Sequence, residues 1–231
     1  MTAERPTAIV TGATGGMGRE VVRDLSRTHR VIAIGRNGER LDAIAAETGA
    51  ERWQLDLTDE AGLERGIAGL TRLDVIVHAA AVSGGPALDA AESADWAHHF
   101  AVNVTAPAVL TRHALPLLRE SAGTVIFIGS GASTRPVPGN PIYTATKHAL
   151  RAVADVLRID EEPHRVRVAT VAPGQTDTEM LRRLIPDANY TPERYIRPES
   201  VASTVRFIVD APADVQLTDI AVRPRQEIAR I

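Results

Sequence analysis

Tyr143 and Lys147 stand four residues apart in Tyr143-Thr144-Ala145-Thr146-Lys147, and Lys147 is the only lysine of the chain. On a helix that spacing is about one turn, so both side chains project from the same face. The pair suits proton transfer. Reducing a carbonyl by hydride leaves an alkoxide that needs a proton. A phenol, with an ordinary pKa of about 10, must become more acidic to supply one near neutrality. A nearby ammonium achieves this by stabilising the phenolate. The same spacing also occurs in helices where both residues are structural. Upstream, Ser130 closes the apolar run Thr124–Ile128. Its hydroxyl can polarise a substrate oxygen, or it can be a turn serine, as Ser133 can.

A second set of residues fits a phosphate. Thr11-Gly12-Ala13-Thr14-Gly15-Gly16-Met17-Gly18 follows the apolar run Thr7–Val10 and leads into a helical pattern. Glycines let the backbone turn tightly and approach a pyrophosphate, and a helix N-terminus offers unpaired N–H groups and a positive dipole end. Glycine-rich turns alone are common, so strand before and helix after carry the weight. About 20 residues further on, where dinucleotide-binding folds read the adenosine ribose, stands Gly35-Arg36-Asn37, without an acid. Arg36 can pair bidentately with a 2′-phosphate, which an aspartate would repel. It can equally be a solvated arginine at a strand end.

The elements that position these residues follow from apolar patterning. Strands are predicted at Thr7–Val10, Arg30–Ile34, Arg52–Leu55, Asp74–Val77, Thr124–Ile128, Val166–Val171 and Ile220–Val222. Helices are predicted at Met17–Ser26, Arg40–Glu47, Glu60–Leu70, Ala91–Asn103, Ala106–Glu120, Tyr143–Asp160 and Ser200–Val209. Such alternation means βαβ units with right-handed crossovers. The expected fold is therefore α/β: one Rossmann domain over residues 1–231, a doubly wound parallel sheet of about seven strands. Residues 175–198 break the rhythm with scattered prolines. They follow the sixth strand on the ligand side of such a sheet, and are either a lid or an ordinary loop.

Taken together, Thr11-Gly12 with Gly16 and Gly18, and Ser130 with Tyr143 and Lys147, resemble the short-chain dehydrogenase/reductase family across nearly the whole chain. The resemblance implies an oxidoreductase that moves hydride between a nicotinamide cofactor and an alcohol/carbonyl pair. Tyr143 would be the acid/base, Lys147 would lower its pKa and hold the nicotinamide ribose, and Ser130 would orient the carbonyl. Asn103 resembles the asparagine whose helix distortion completes the proton relay; unaided, it reads as a helix end. Asp56 resembles the residue that meets adenine, with Leu57 beside it, and alone reads as a helix cap. Pro173, Gly174, Thr176 and Thr178 resemble the loop that meets the nicotinamide carboxamide, and otherwise form a Pro-Gly turn. The implied cofactor set is thus Thr11, Gly12, Thr14, Gly15, Gly16, Met17, Gly18, Arg36, Asn37, Asp56, Leu57, Ala79, Ala80, Ala81, Asn103, Tyr143, Lys147 and that loop. With Arg36, the expected cofactor is NADP(H). One departure stands out: the family's Asn-Asn-Ala-Gly appears as His78-Ala79-Ala80-Ala81.

Composition narrows the alternatives. There is no cysteine, which excludes disulfides, thiolate catalysis and cysteine-ligated metals. A net charge of -3 gives no pull toward nucleic acid or anionic membrane. No apolar run approaches the roughly 18 residues of a membrane helix, and no signal peptide is read, so a cytoplasmic protein is expected. His98, His99 and His113 read as helix-surface or interface residues, and no metal is expected. The substrate is expected to be a small molecule, and the family habit implies a homodimer or homotetramer through Ala106–Glu120 and Tyr143–Asp160. The competing reading from another class is a sensor that binds NADP(H) without turnover.

Overall fold

The computed structural model describes residues 5–226. Seven strands form one fully parallel sheet: β1 (Thr7–Thr11), β2 (Arg30–Gly35), β3 (Glu51–Gln54), β4 (Val75–His78), β5 (Thr124–Ile128), β6 (Arg167–Pro173) and β7 (Asp219–Val222). Their spatial order is 3-2-1-4-5-6-7. The chain winds outward from β1 in one direction and then, from β4, in the other. The switch point therefore lies between β1 and β4, where Thr11 pairs with His78. In sheets of this kind ligands bind beyond the carboxyl ends at that point.

Period-two alternation divides the strands between two cores. Ala8, Val10, Val31, Ala33, Val75 and Val77 face one core, with α1 (Gly16–Leu25), α2 (Gly38–Thr48) and α8 (Pro198–Val209). Ile9, Ile32, Ile34, Ile76, Val125 and Phe127 face the other, with α3 (Glu60–Ala68), α5 (Ala106–Ser121) and α6 (Pro141–Asp160). Burying Val21, Val22 and Leu25 of α1 stabilises by about 2 kcal/mol each. That offsets the helix-propensity cost, about 1 kcal/mol each, of Gly16 and Gly18 in its first turn. The remaining helices are α4 (Ser93–Phe100) and the short α7 (Glu179–Arg182).

The expected elements are present with ends shifted by no more than two residues, except in two places. Ala91–Asn103 and Ala106–Glu120 are not separate helices. A π turn over Ala101–Thr105 joins α4 to α5, so the helical run continues through Asn103. The second difference is α7, within the segment expected to be lid or loop. Among the described residues, no helix is long and apolar enough to cross a membrane, and no cluster of His, Asp or Glu could hold a metal.

His78, at the end of β4, is buried at 2% exposure. Its ring stacks on Phe127 with centroids 4.8 Å apart. The Thr111 hydroxyl donates to the Pro107 carbonyl at 2.8 Å, so it accepts from His78 Nε2, also at 2.8 Å. The imidazole is therefore neutral with its proton on Nε2. Burial holds its pKa down at about 3. In the unfolded chain it would titrate at about 6.5. Between those values the unfolded state binds the extra proton. The contribution is complete above about pH 6.5 and falls by about 1.4 kcal/mol per unit below it. Urea denaturation should therefore show stability dropping between pH 7 and pH 5, with about 2 kcal/mol of the drop missing in His78→Asn. Parallel pH profiles for the two proteins would rule out His78 as the cause.

Candidate active site

β1 ends at Thr11, and the chain then turns toward α1 through residues that only glycine suits. Gly12 has φ +65°, and a Cβ there would lie 2.7 Å from Ala80 Cα in the loop after β4. Gly16 has φ +43°, and a Cβ there would lie 2.9 Å from Thr178 Cγ2. Any side chain at Gly18 would run into the Gly12 carbonyl, so its absence lets helix and strand close together. Gly15 caps α1 with no side-chain hydrogen bond and no acid in the first turn, and the space over it is open. The first amides of α1 are thus left for an anion. They face a cavity of about 450 Å³ whose wall includes Gly12, Thr14, Gly15, Gly16, Met17, Asp56, Leu57, Ala79, Ala80, Ala81 and Thr178.

The loop after β4 is held without the expected asparagines. Ala80 N–H donates to Thr11 Oγ1 at 3.2 Å, and His78 is anchored to Thr111. Asn103, 1% exposed in the π turn, completes the arrangement. Its Oδ1 accepts from Val82 N–H at 2.8 Å, and its Nδ2 donates to the Val82 carbonyl at 2.9 Å and to Thr146 Oγ1 at 3.1 Å. One side chain thereby fixes the loop after β4 to the helix that carries Tyr143 and Lys147.

On α6, Lys147 is buried, and its Nζ donates to the Ile128 carbonyl at 3.0 Å at the end of β5. Burial lowers its pKa to about 8. The Nζ sits over the Tyr143 ring, 5.6 Å from the centroid. Burial pushes the Tyr143 phenol above its ordinary value, and a hydrogen bond with the Ser130 hydroxyl opposes that rise. The sequence expectation was an ammonium that lowers the phenol. Here the larger influence is burial, because Nζ is aimed at the strand carbonyl rather than at the phenol oxygen. Ser130 also caps the short turn Gly131–Ser133, accepting from Ala132 N–H at 3.1 Å.

The cavity wall itself does not include Asn103, Ser130, Tyr143 or Lys147, and the other predicted residues divide. Arg36 lines the wall, with Nη1 3.9 Å from Asp56 Oδ2. Asp56 Oδ1 is bound by the amide and hydroxyl of Thr58, which hold its carboxyl below the usual range. Asn37 does not line the cavity; it caps α2, its Oδ1 accepting from Arg40 N–H at 2.9 Å. Pro173 ends β6, Gly174 N–H donates to Val222, and Thr176 Oγ1 donates to the Gly174 carbonyl. These three shape the loop, whereas Thr178 caps α7 and reaches Gly16.

Sequence reasoning missed Ile34, Gly35, Arg40, Leu55, Val82, Ser83 and Val102 in the wall, whereas Glu179, Met180, Arg183 and Leu184 lie in the segment expected to be a lid or an ordinary loop. Arg40 alone left a signal, standing one turn beyond the Asn37 cap. His99, expected at the helix surface or an interface, is instead buried within the chain. It is 7% exposed, its Nδ1 lies 2.9 Å from the Asp95 carbonyl, and Gly85 crosses its ring. The approach of Gly85 to its ring is something helix periodicity alone does not reveal.

Comparison with known proteins agrees with this geometry. Serine 3-dehydrogenase of Rhizobium radiobacter is 30% identical, covering 94% of this chain and 93% of its own. The NADP-dependent 3-hydroxy acid dehydrogenase of Shigella flexneri is 32% identical, with 94% of both chains covered. A closed form of serine dehydrogenase solved with NADP+ superimposes with a TM-score of 0.88 at 31% identity, over 97% of this chain and 98% of that one. The family model described as short chain dehydrogenase matches residues 6–189. With its Rossmann sheet and glycine loop, the chain belongs to the short-chain dehydrogenase family and is an NAD(P)H-dependent oxidoreductase.

Proposed function

We propose that the protein is an NADP(H)-dependent oxidoreductase that interconverts an alcohol and a ketone or aldehyde, with Tyr143 as general acid/base. The observation that carries this reading is the meeting of Tyr143, Ser130 and Lys147 at the carboxyl end of β5, on a helix that Asn103 ties to Val82 in the wall of the glycine-lined cavity. The cavity fits a dinucleotide: an uncapped helix N-terminus for the pyrophosphate, small residues at Ala79–Ala81, and Arg36 where a ribose phosphate would lie. Thr11, Gly12, Thr14, Gly15, Gly16, Met17, Gly18, Arg36, Asp56, Leu57 and Thr178 would hold it. Asn37, Pro173, Gly174 and Thr176 would shape the loops around it. When bound, the nicotinamide supplies or accepts the hydride.

The chain's own groups then handle the proton. Ser130 and the Tyr143 phenol together take the substrate oxygen, and Tyr143 gives it a proton in the reducing direction. A buried phenol holds that proton until negative charge develops on the substrate. Lys147, cationic near neutrality, would stabilise the phenolate left behind, and its ammonium would hold the nicotinamide ribose. Asn103 keeps the two helices and the loop after β4 in register.

Residues 175–198 serve as a substrate lid in this reading. Met180 and Leu184 line the cavity, and the segment is tied together by Tyr190, whose hydroxyl donates to Asp177 at 2.7 Å while Arg182 lies over its ring. Exposed Val156 and Ile159 on α6 support a homodimer or homotetramer through α5 and α6. The names of the relatives make 3-hydroxy acids the first substrates to try, beside simple ketones.

Tyr143→Phe should lower turnover by about 10²–10⁴-fold while cofactor affinity stays within about twofold of wild type by fluorescence titration. Retained activity would remove Tyr143 from the reaction. A wild-type protein that binds NADPH but turns over none of the panel would instead favour the sensor. Arg36→Asp should weaken NADPH binding at least about tenfold, roughly the 1.4 kcal/mol of one charge-assisted contact, and leave NADH nearly unchanged. Equal losses for the two cofactors would make Arg36 a surface arginine.

A further inference from the structure

The cavity wall at the α2 end carries five charged side chains: Arg36, Arg40, Arg183, Asp56 and Glu179. Arg40 lies in the first turn of α2 and reaches across the cavity to α7, where its Nη1 meets Glu179 Oε2 at 3.1 Å. The second oxygen of Glu179 takes Arg183 Nη2 from the next turn. Glu179 is thus clamped between two guanidinium groups, one from each side of the cavity. Arg36 and Asp56 stand beside them at the looser distance of 3.9 Å. Three cations against two carboxylates leave one net positive charge on this wall.

That arrangement is what an anion would exploit. A phosphate monoester carries more negative charge than a carboxylate and offers three acceptor oxygens, and the guanidinium fork accepts either group. The Arg40–Glu179 pair is about half exposed on both sides, and ion pairs so exposed are weak enough to exchange. We propose that Glu179 and the 2′-phosphate of NADP(H) compete for Arg40. Arg40 is then a second specificity-determining residue beside Arg36, and Glu179 sets how strongly the phosphorylated cofactor is preferred. The competition also couples cofactor identity to α7, because a phosphate on Arg40 breaks the tie from Glu179 to α2 and leaves Glu179 with Arg183 alone, whereas NADH leaves both contacts in place. This inference rests on the reading that the cavity takes NADP(H) with Arg36 at its phosphate.

The test is a set of fluorescence titrations with NADPH and with NADH on wild type, Glu179→Gln, Arg40→Gln and the double variant, each first checked for an unchanged melting temperature. Glu179→Gln should bind NADPH about fivefold more tightly and NADH as before. Arg40→Gln should bind NADPH about tenfold more weakly and NADH as before, and the double variant should show none of the gain. Equal changes for both cofactors, or a gain that survives in the double variant, would overturn the competition. If wild type prefers NADPH and both single variants keep its ratio, the competition fails and the role of Arg36 stands. If wild type has no preference and Glu179→Gln acquires one, the role of Arg36 fails and the competition stands.

Discussion

The close approach of two backbones at the sheet's switch point is the constraint on which the rest depends. Gly12 takes a left-handed turn directly against Ala80, at a distance that no Cβ could occupy. Thr11 bonds across the same gap to Ala80 N–H. Because β1 and β4 are neighbours whose chains leave in opposite directions, that contact opens a crevice on the carboxyl side. The N-terminus of α1 forms one wall of it and the loop after β4 another. The apolar cores on the two faces fix the strands so that this contact repeats the same geometry in every molecule.

The Tyr143–Lys147 end depends on burial in the complementary way. Tyr143 and Lys147 both lie in surroundings that disfavour charge, so the phenol is pushed up and the ammonium down, to about 8. Burial therefore drives their proton affinities apart: the phenol keeps its proton more tightly, and the ammonium gives its own up more readily, than either does in water. Rigidity comes from Asn103. The π turn costs one regular helical register and aims an amide at Val82 and Thr146, tying α6 to the loop that borders the cavity. Turns of this type commonly mark functional sites.

Much of this was legible in the residues. Strands such as Val31-Ile32-Ala33 can be read because both faces of the sheet are covered, which demands a continuous apolar run. The glycine loop and the Tyr143–Lys147 pair are local patterns, and local patterns survive folding. What escaped was non-local or brief. Arg40 and Glu179 are separated by 139 positions. The helix α7 has four residues, too few to show a period. The continuity of α4 into α5 was hidden because a π turn shifts the apolar stripe by one position, which looks like an end. The burial of His99 was hidden because Gly85, which comes up against its ring, carries no apolar signal.

A crystal structure with NADPH bound would test the central claim most directly, since it locates both ends of the cofactor at once. The account predicts the pyrophosphate over the amides of Gly15, Gly16 and Met17, the 2′-phosphate beside Arg36, and the nicotinamide facing Tyr143 and Ser130. A nucleotide bound elsewhere, or one whose nicotinamide points away from Tyr143, would contradict it.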